Sequence, residues 1–84
     1  MWRMGDSILQ KLVGKKVKAA RKQRELSQEQ LGDRTGYSDS AISAFERGDR
    51  NISLIAAFSL ADELGVSVEE FRPSSGNDSN PFDY

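Results

Sequence analysis

Cysteine and histidine are both absent from this 84-residue sequence, and proline occurs only at positions 73 and 81. Without cysteine no disulfide can form, and the usual mark of an oxidising compartment is missing. Without either residue, zinc and haem lose their commonest ligands and acid–base catalysis loses its usual imidazole. No metal or cofactor is expected. Ser and Asp are plentiful, yet they form no nucleophile-plus-base arrangement, and no glycine-rich phosphate loop occurs. The sequence does not read as that of an enzyme. No apolar run approaches the ~18 residues of a membrane span. The opening MWRMGDSILQ lacks the apolar stretch and small-residue cleavage site of a signal peptide. A soluble, cytoplasmic protein without membrane contact is expected.

A strong net charge is also missing: 12 Lys and Arg against 13 Asp and Glu leave -1. The sum conceals an asymmetry. Residues 1–24 carry Arg3, Lys11, Lys15, Lys16, Lys18, Arg21, Lys22 and Arg24 against the single Asp6, whereas the remainder is acidic. Binding to a polyanion depends on one face and not on the sum, so the balance is weak evidence against a nucleic-acid partner. The length allows one domain. A chain so short buries only about 60% of its unfolded surface and gains from a partner subunit.

What is present reads as helix. Ser7-Ile-Leu-Gln10 has the capping-box pattern, and Ile8, Leu9, Leu12, Val13, Val17 and Ala20 follow at helical spacing, predicting a helix over 8–24. Ser27-Gln-Glu-Gln30 opens a second helix to about Arg34, closed by Gly36 in the left-handed region. Ser38 caps a third through Ile42 and Phe45 to Arg47, ended by Gly48. Ser53 caps a fourth over Leu54–Leu64, with Leu54, Ala57, Phe58, Ala61 and Leu64 on one face and Gly65 as its stop. Ser67-Val-Glu-Glu70 starts a short fifth helix through Phe71. The expected architecture is an all-α, five-helix domain at 8–72, with an amino-terminal extension at 1–7 and a flexible polar tail at 73–84.

The second and third helices, joined by a tight turn through Gly36, predict a helix-turn-helix. Leu31, Ile42 and Phe45 must then face inward, with Gly32 near the crossing. Spacing alone leaves a structural unit and a DNA-binding unit equally open.

Residue identities add a resemblance. From about Val13 to Phe71 the sequence resembles the lambda-repressor-like, Cro/C1-type (XRE) helix-turn-helix family. The likeness is carried by Arg21, Leu26-Ser-Gln-Glu-Gln-Leu31, Gly36, Ser38, Ile42-Ser43, Phe45-Glu-Arg-Gly48, Arg50-Asn51 and Leu60-Ala-Asp-Glu-Leu-Gly-Val-Ser67. The run ERGDRNISL also resembles the small controller proteins of restriction–modification systems.

The resemblance implies a sequence-specific regulator that binds double-stranded DNA, most simply as a homodimer on an inverted-repeat operator. Gln28 at the amino end of the second helix would meet a phosphate, where free N–H groups and the positive dipole end already favour an anion. The plainer alternative is that Ser27 and Gln30 merely cap. Ser38, Asp39, Ser40, Ser43, Ala44 and Arg47 would form the face that enters the major groove. Ser38 and Ser40 can donate or accept, and Arg47 can reach guanine or phosphate; the alternative is a solvated polar face. Ala41 is left unassigned. Arg50 and Asn51 would lie along the DNA backbone, although Asn51 could equally serve the turn. Arg21 and Glu46 would be a largely buried structural ion pair. Lys15, Lys16, Lys18, Lys22 and Arg24 of the first helix are either a solvated face or an electrostatic support.

Asp39 departs from the Gln or Arg that many relatives carry. It can favour the helix dipole, accept from cytosine N4, or belong to an acidic face that docks a protein. The last possibility is the alternative function: an antitoxin-like or adaptor module with a protein partner. Thr35 and Tyr37 also depart from the aliphatic residues usual beside Gly36. Candidate dimer contacts are Val66, Val68 and Phe71, whose other use is core packing, or the apolar group Trp2, Met4, Ile8 and Leu9.

Overall fold

Serine opens every element after the first. In the computed structural model, which describes residues 2–72 with side chains from Ile8 onward, four α-helices run over Trp2–Gln23 (α1), Gln28–Thr35 (α2), Asp39–Arg47 (α3) and Leu54–Leu64 (α4). A 3₁₀ turn follows over Val68–Phe71, and no strand occurs among the described residues. The Ser27 hydroxyl accepts from the Gln30 amide at 3.0 Å while the Ser27 amide donates to Gln30 Oε1 at 2.8 Å, a complete capping box. Ser38 accepts from the Ala41 amide at 3.0 Å and Ser53 from the Ala56 amide at 3.1 Å. Each cap satisfies an amide that the helix leaves without a partner and contributes about 1 kcal/mol.

Three sequence expectations are corrected. The first helix starts at Trp2, not at 8, so Ser7 lies inside α1 and its capping-box pattern opens nothing. Of the residues before position 8, Gly5 opposes helix most, at about 1 kcal/mol, which a long helix absorbs. The fifth element is a 3₁₀ turn, not an α-helix. Its bonds run from the Glu70 amide to the Ser67 carbonyl and from the Arg72 amide to the Glu69 carbonyl, at 2.9 and 3.0 Å. Ser67 accepts from Glu69 and not from residue 70, and the proline at 73 disfavours α conformation just before it. Third, α4 turns Ala56, Leu60, Ala61 and Leu64 inward, leaving Leu54 and Phe58 68% and 50% exposed. The helix is apolar nearly all round, so periodicity did not fix its inner face; the two alanines permit the close approach. The proposed tail at 73–84 and the side chains of Trp2 and Met4 lie outside the described residues.

The interior is built from Val17, Leu31, Ile42, Phe45, Leu60 and Leu64, all under 2% exposed or at that limit, with Phe71 closing one side. Each such side chain contributes about 1.5–3 kcal/mol on burial. Phe71 therefore serves the core, and Val66 and Val68 pack half-buried against it. Ile8, Leu9 and Leu12 remain exposed on α1.

Helix α1 crosses the carboxyl end of α3 at backbone contact distance. A Cβ on Gly14 would lie 2.6 Å from the Glu46 carbonyl oxygen, and one on Gly48 would lie 2.7 Å from Lys11 Cα. Gly48 also has φ +80°, so a larger residue would be strained there twice over. This crossing sets the first helix beside the outer face of α3.

Candidate nucleic-acid interface

Glu46 organises the interior edge of the site. It is buried near the end of α3 and receives Arg21 from α1, with Nε donating to Oε2 at 2.6 Å and NH2 donating to Oε1 at 3.0 Å. Arg21 NH1 donates to the Leu26 carbonyl at 2.7 Å. Gln28 Nε2, from the first turn of α2, donates to Glu46 Oε1 at 3.0 Å. The cluster ties three elements together, and no buried side-chain polar atom among the described residues lacks a partner.

Gly36 adopts φ 86° and turns the chain from α2 into α3. Thr35 bonds its hydroxyl back to the Leu31 carbonyl at 2.9 Å. Tyr37 packs edge-on against Phe45 with ring centroids 5.4 Å apart. The two residues that depart from the aliphatic pattern thus replace greasy packing with a hydrogen bond and an aromatic contact.

Between the amino end of α2 and the outer face of α3 runs an open groove of about 290 Å³, lined by Gln28, Asp39, Ser40, Ser43 and Arg47. Asp39 and Ser40 are exposed and Ser43 is half-buried. Asp39 is the first residue of α3, where its charge favours the helix dipole. Arg47 is held in place: its Nε donates to Asp49 Oδ2 at 2.8 Å, and its NH1 donates to the Ser43 hydroxyl.

The other predicted residues lie around this groove without lining it. Ser38 caps α3, its oxygen taken by the Ala41 amide while its proton stays available. Ala44 is half-buried, and Ala41 is buried in the helix interface. Arg50 sits over the Phe45 ring, 5.3 Å from its centroid, and Asn51 is exposed in the following loop.

A second, adjacent groove of about 510 Å³ is lined by Lys11, Lys15 and Lys18 of α1 with Glu46, Arg47 and Asp49. Sequence reading assigned no role to Lys11 or to Asp49. Lys11 was legible in principle, because it shares one helical face with Lys15 and Lys18. Asp49 follows α3 in a loop, where periodicity carries no information.

No helix among the described residues is long and apolar enough to cross a membrane. The same residues contain no cluster of acids that could hold a metal ion.

Comparison with known proteins bears on this arrangement. Residues 17–71 match the family described as Helix-turn-helix. An uncharacterized HTH-type transcriptional regulator, y4dJ of Sinorhizobium fredii, is 40% identical over 75 residues, covering 88% of this chain and 94% of that protein. The restriction–modification controller protein C.AhdI from Aeromonas hydrophila is 33% identical, with a TM-score of 0.70 over 73% of this chain and 92% of its own. The DNA-binding domain of BldD from S. venezulae is 32% identical, with a TM-score of 0.68 over 75% of this chain and 94% of its own. The matched stretch contains the Arg21–Glu46 pair and every residue of the first groove, and the chain belongs to the helix-turn-helix family.

Proposed function

We propose that this helix-turn-helix protein, a DNA-binding transcriptional regulator, reads its operator through the groove that joins Gln28 to Asp39, Ser40, Ser43 and Arg47. In this reading α2, the Gly36 turn and α3 are the helix-turn-helix unit, and α3 is the recognition helix. Asp39, Ser40, Ser43 and Ala44 face base edges, and Arg47 reaches guanine or a phosphate. The α2 amino end, with the second Nε2 hydrogen of Gln28, takes a phosphate. Ser38, Arg50 and Asn51 flank the groove on the backbone side. The observation that carries the proposal is the open groove in which α2 and α3 converge, lined by the polar and charged side chains of Gln28, Asp39, Ser40, Ser43 and Arg47.

The regulator acts as a homodimer on double-stranded DNA, its two recognition helices about 34 Å apart on an inverted repeat. The work is regulatory and not enzymatic. It is done in the cytoplasm by the helix-turn-helix domain of residues 8–72. A second reading, a protein-docking module, is favoured by the exposed Asp39 and by the engagement of Arg47 with Asp49. Arg47→Ala combined with Arg50→Ala separates the two. Duplex retention should be lost while the thermal unfolding midpoint stays high. Unchanged retention would reject the DNA-reading face.

A further inference from the structure

The second groove shares Arg47 with the first, so the lysine row of α1 continues the candidate interface without a break. Lys11, Lys15 and Lys18 are exposed and stand at i, i+4 and i+7, one above another on a single face. They span about 10 Å of helix rise, which corresponds to about three charges of one DNA strand counted along the duplex axis. The acids of this groove are already matched, Glu46 with Arg21 and Asp49 with Arg47. Among the described residues none of the three lysines is in an ion pair. Like charges at this spacing weaken a helix, and no carboxylate of the described residues lies within ion-pair distance of them. Lys16 and Lys22, on the same helix, line neither groove.

We infer that Lys11, Lys15 and Lys18 form a phosphate track that grips the backbone of the duplex beside the recognition helix. The inference rests on the regulator reading and extends it from α2 and α3 to α1. It also accounts for how a chain of net charge -1 binds a polyanion: three cations without an ion-pair partner are gathered at one edge of the interface. The backbone carries no sequence information directly, so this row adds affinity and orientation but not base preference.

The test is the salt dependence of binding to a fluorescent duplex of mixed sequence, from roughly 50 to 200 mM salt. Three full-length proteins are compared: the unaltered chain, Lys11→Gln/Lys15→Gln/Lys18→Gln, and Lys16→Gln/Lys22→Gln. The triple variant should lower the slope of log K against log salt by roughly two to three, at about 0.9 for each phosphate that a lysine no longer neutralises. The double variant should leave it unchanged. Equal slopes in all three proteins, or equal reductions in both variants, overturn the track. Should the triple variant not fold by circular dichroism, Lys15→Gln alone is read for a slope reduced by about 0.9. Polyglutamate is the second probe. If the unaltered chain captures it as tightly as duplex and the triple variant does not, the row serves an acidic protein and the inference fails. If the unaltered chain binds no duplex even at low salt, the regulator reading itself falls. If it binds with an unaltered slope in the triple variant, only the track falls.

Discussion

Arg21 and Glu46 meet as a two-pronged pair across the α1–α3 interface, at 2.6 and 3.0 Å, with 9% and 2% of their side chains exposed. Burial makes each charge dependent on the other. Removing one partner strands the other in a medium that solvates it poorly, at about 3–5 kcal/mol. Small domains hold only about 5–15 kcal/mol in total. Glu46→Ala should therefore lower the urea midpoint sharply or abolish cooperative unfolding, and it also leaves Gln28 Nε2 without its acceptor. A midpoint equal to that of the unaltered protein would show that the pair holds nothing together.

Gly14→Ala should destabilise the fold by about 1–3 kcal/mol. In an exposed helix the same change would stabilise by about 0.5–1 kcal/mol, so the sign is diagnostic. The added methyl would meet the Glu46 carbonyl oxygen and carbon at 2.6 and 2.9 Å, and backbone atoms cannot swing aside. Thermal unfolding of the variant decides it, and a raised midpoint would mean that α1 and α3 are not in backbone contact.

Glu25 carries φ 57° just beyond the end of α1, a conformation in which a side chain costs about 1–2 kcal/mol. Glu25→Gly relieves that strain but loosens the unfolded chain by about 0.4–1 kcal/mol. A net gain between about zero and about 1.5 kcal/mol is expected from these two terms. A clear loss in chemical denaturation would indicate that Glu25 makes a contact of its own.

Asp49 bonds Arg47 at 2.8 Å, and the two side chains are 59% and 58% exposed. Such a pair adds at most about 1 kcal/mol to stability, so Asp49→Asn should leave the melting temperature nearly unchanged. Its effect should fall on binding. With a carboxylate removed from the second groove and Arg47 released toward DNA, duplex affinity should rise, and the salt slope should steepen by about 0.9. Weaker binding would show that Asp49 holds Arg47 in its reading position.

Much of this arrangement was legible in the sequence, and the failures have physical reasons. Ser27, Ser38 and Ser53 announced their helices because a cap is a local hydrogen bond between near neighbours. The inward set Leu31, Ile42 and Phe45 followed from the need of two short helices, joined by a tight turn, to cross. Ser7 misled because a capping pattern means nothing inside a helix already under way. Leu54 and Phe58 misled because a helix apolar on all sides lets tertiary packing choose its inner face. At the candidate site, the family resemblance directed attention to the α3 surface. The Gln28–Glu46 bond, the Arg47–Asp49 bond and the lysine groove join positions whose proximity only the folded chain creates.

The decisive measurement is selection on DNA. Purified protein is incubated with sheared DNA from its source at moderate salt, the retained fragments are sequenced, and the experiment is repeated with Arg47→Ala. A regulator of the proposed kind should enrich a short inverted repeat whose half-site centres lie about one helical turn apart, and Arg47→Ala should lose that enrichment. Failure of the unaltered protein to retain any DNA, even at low salt, would contradict the proposal and leave the α3 face as a surface for another protein.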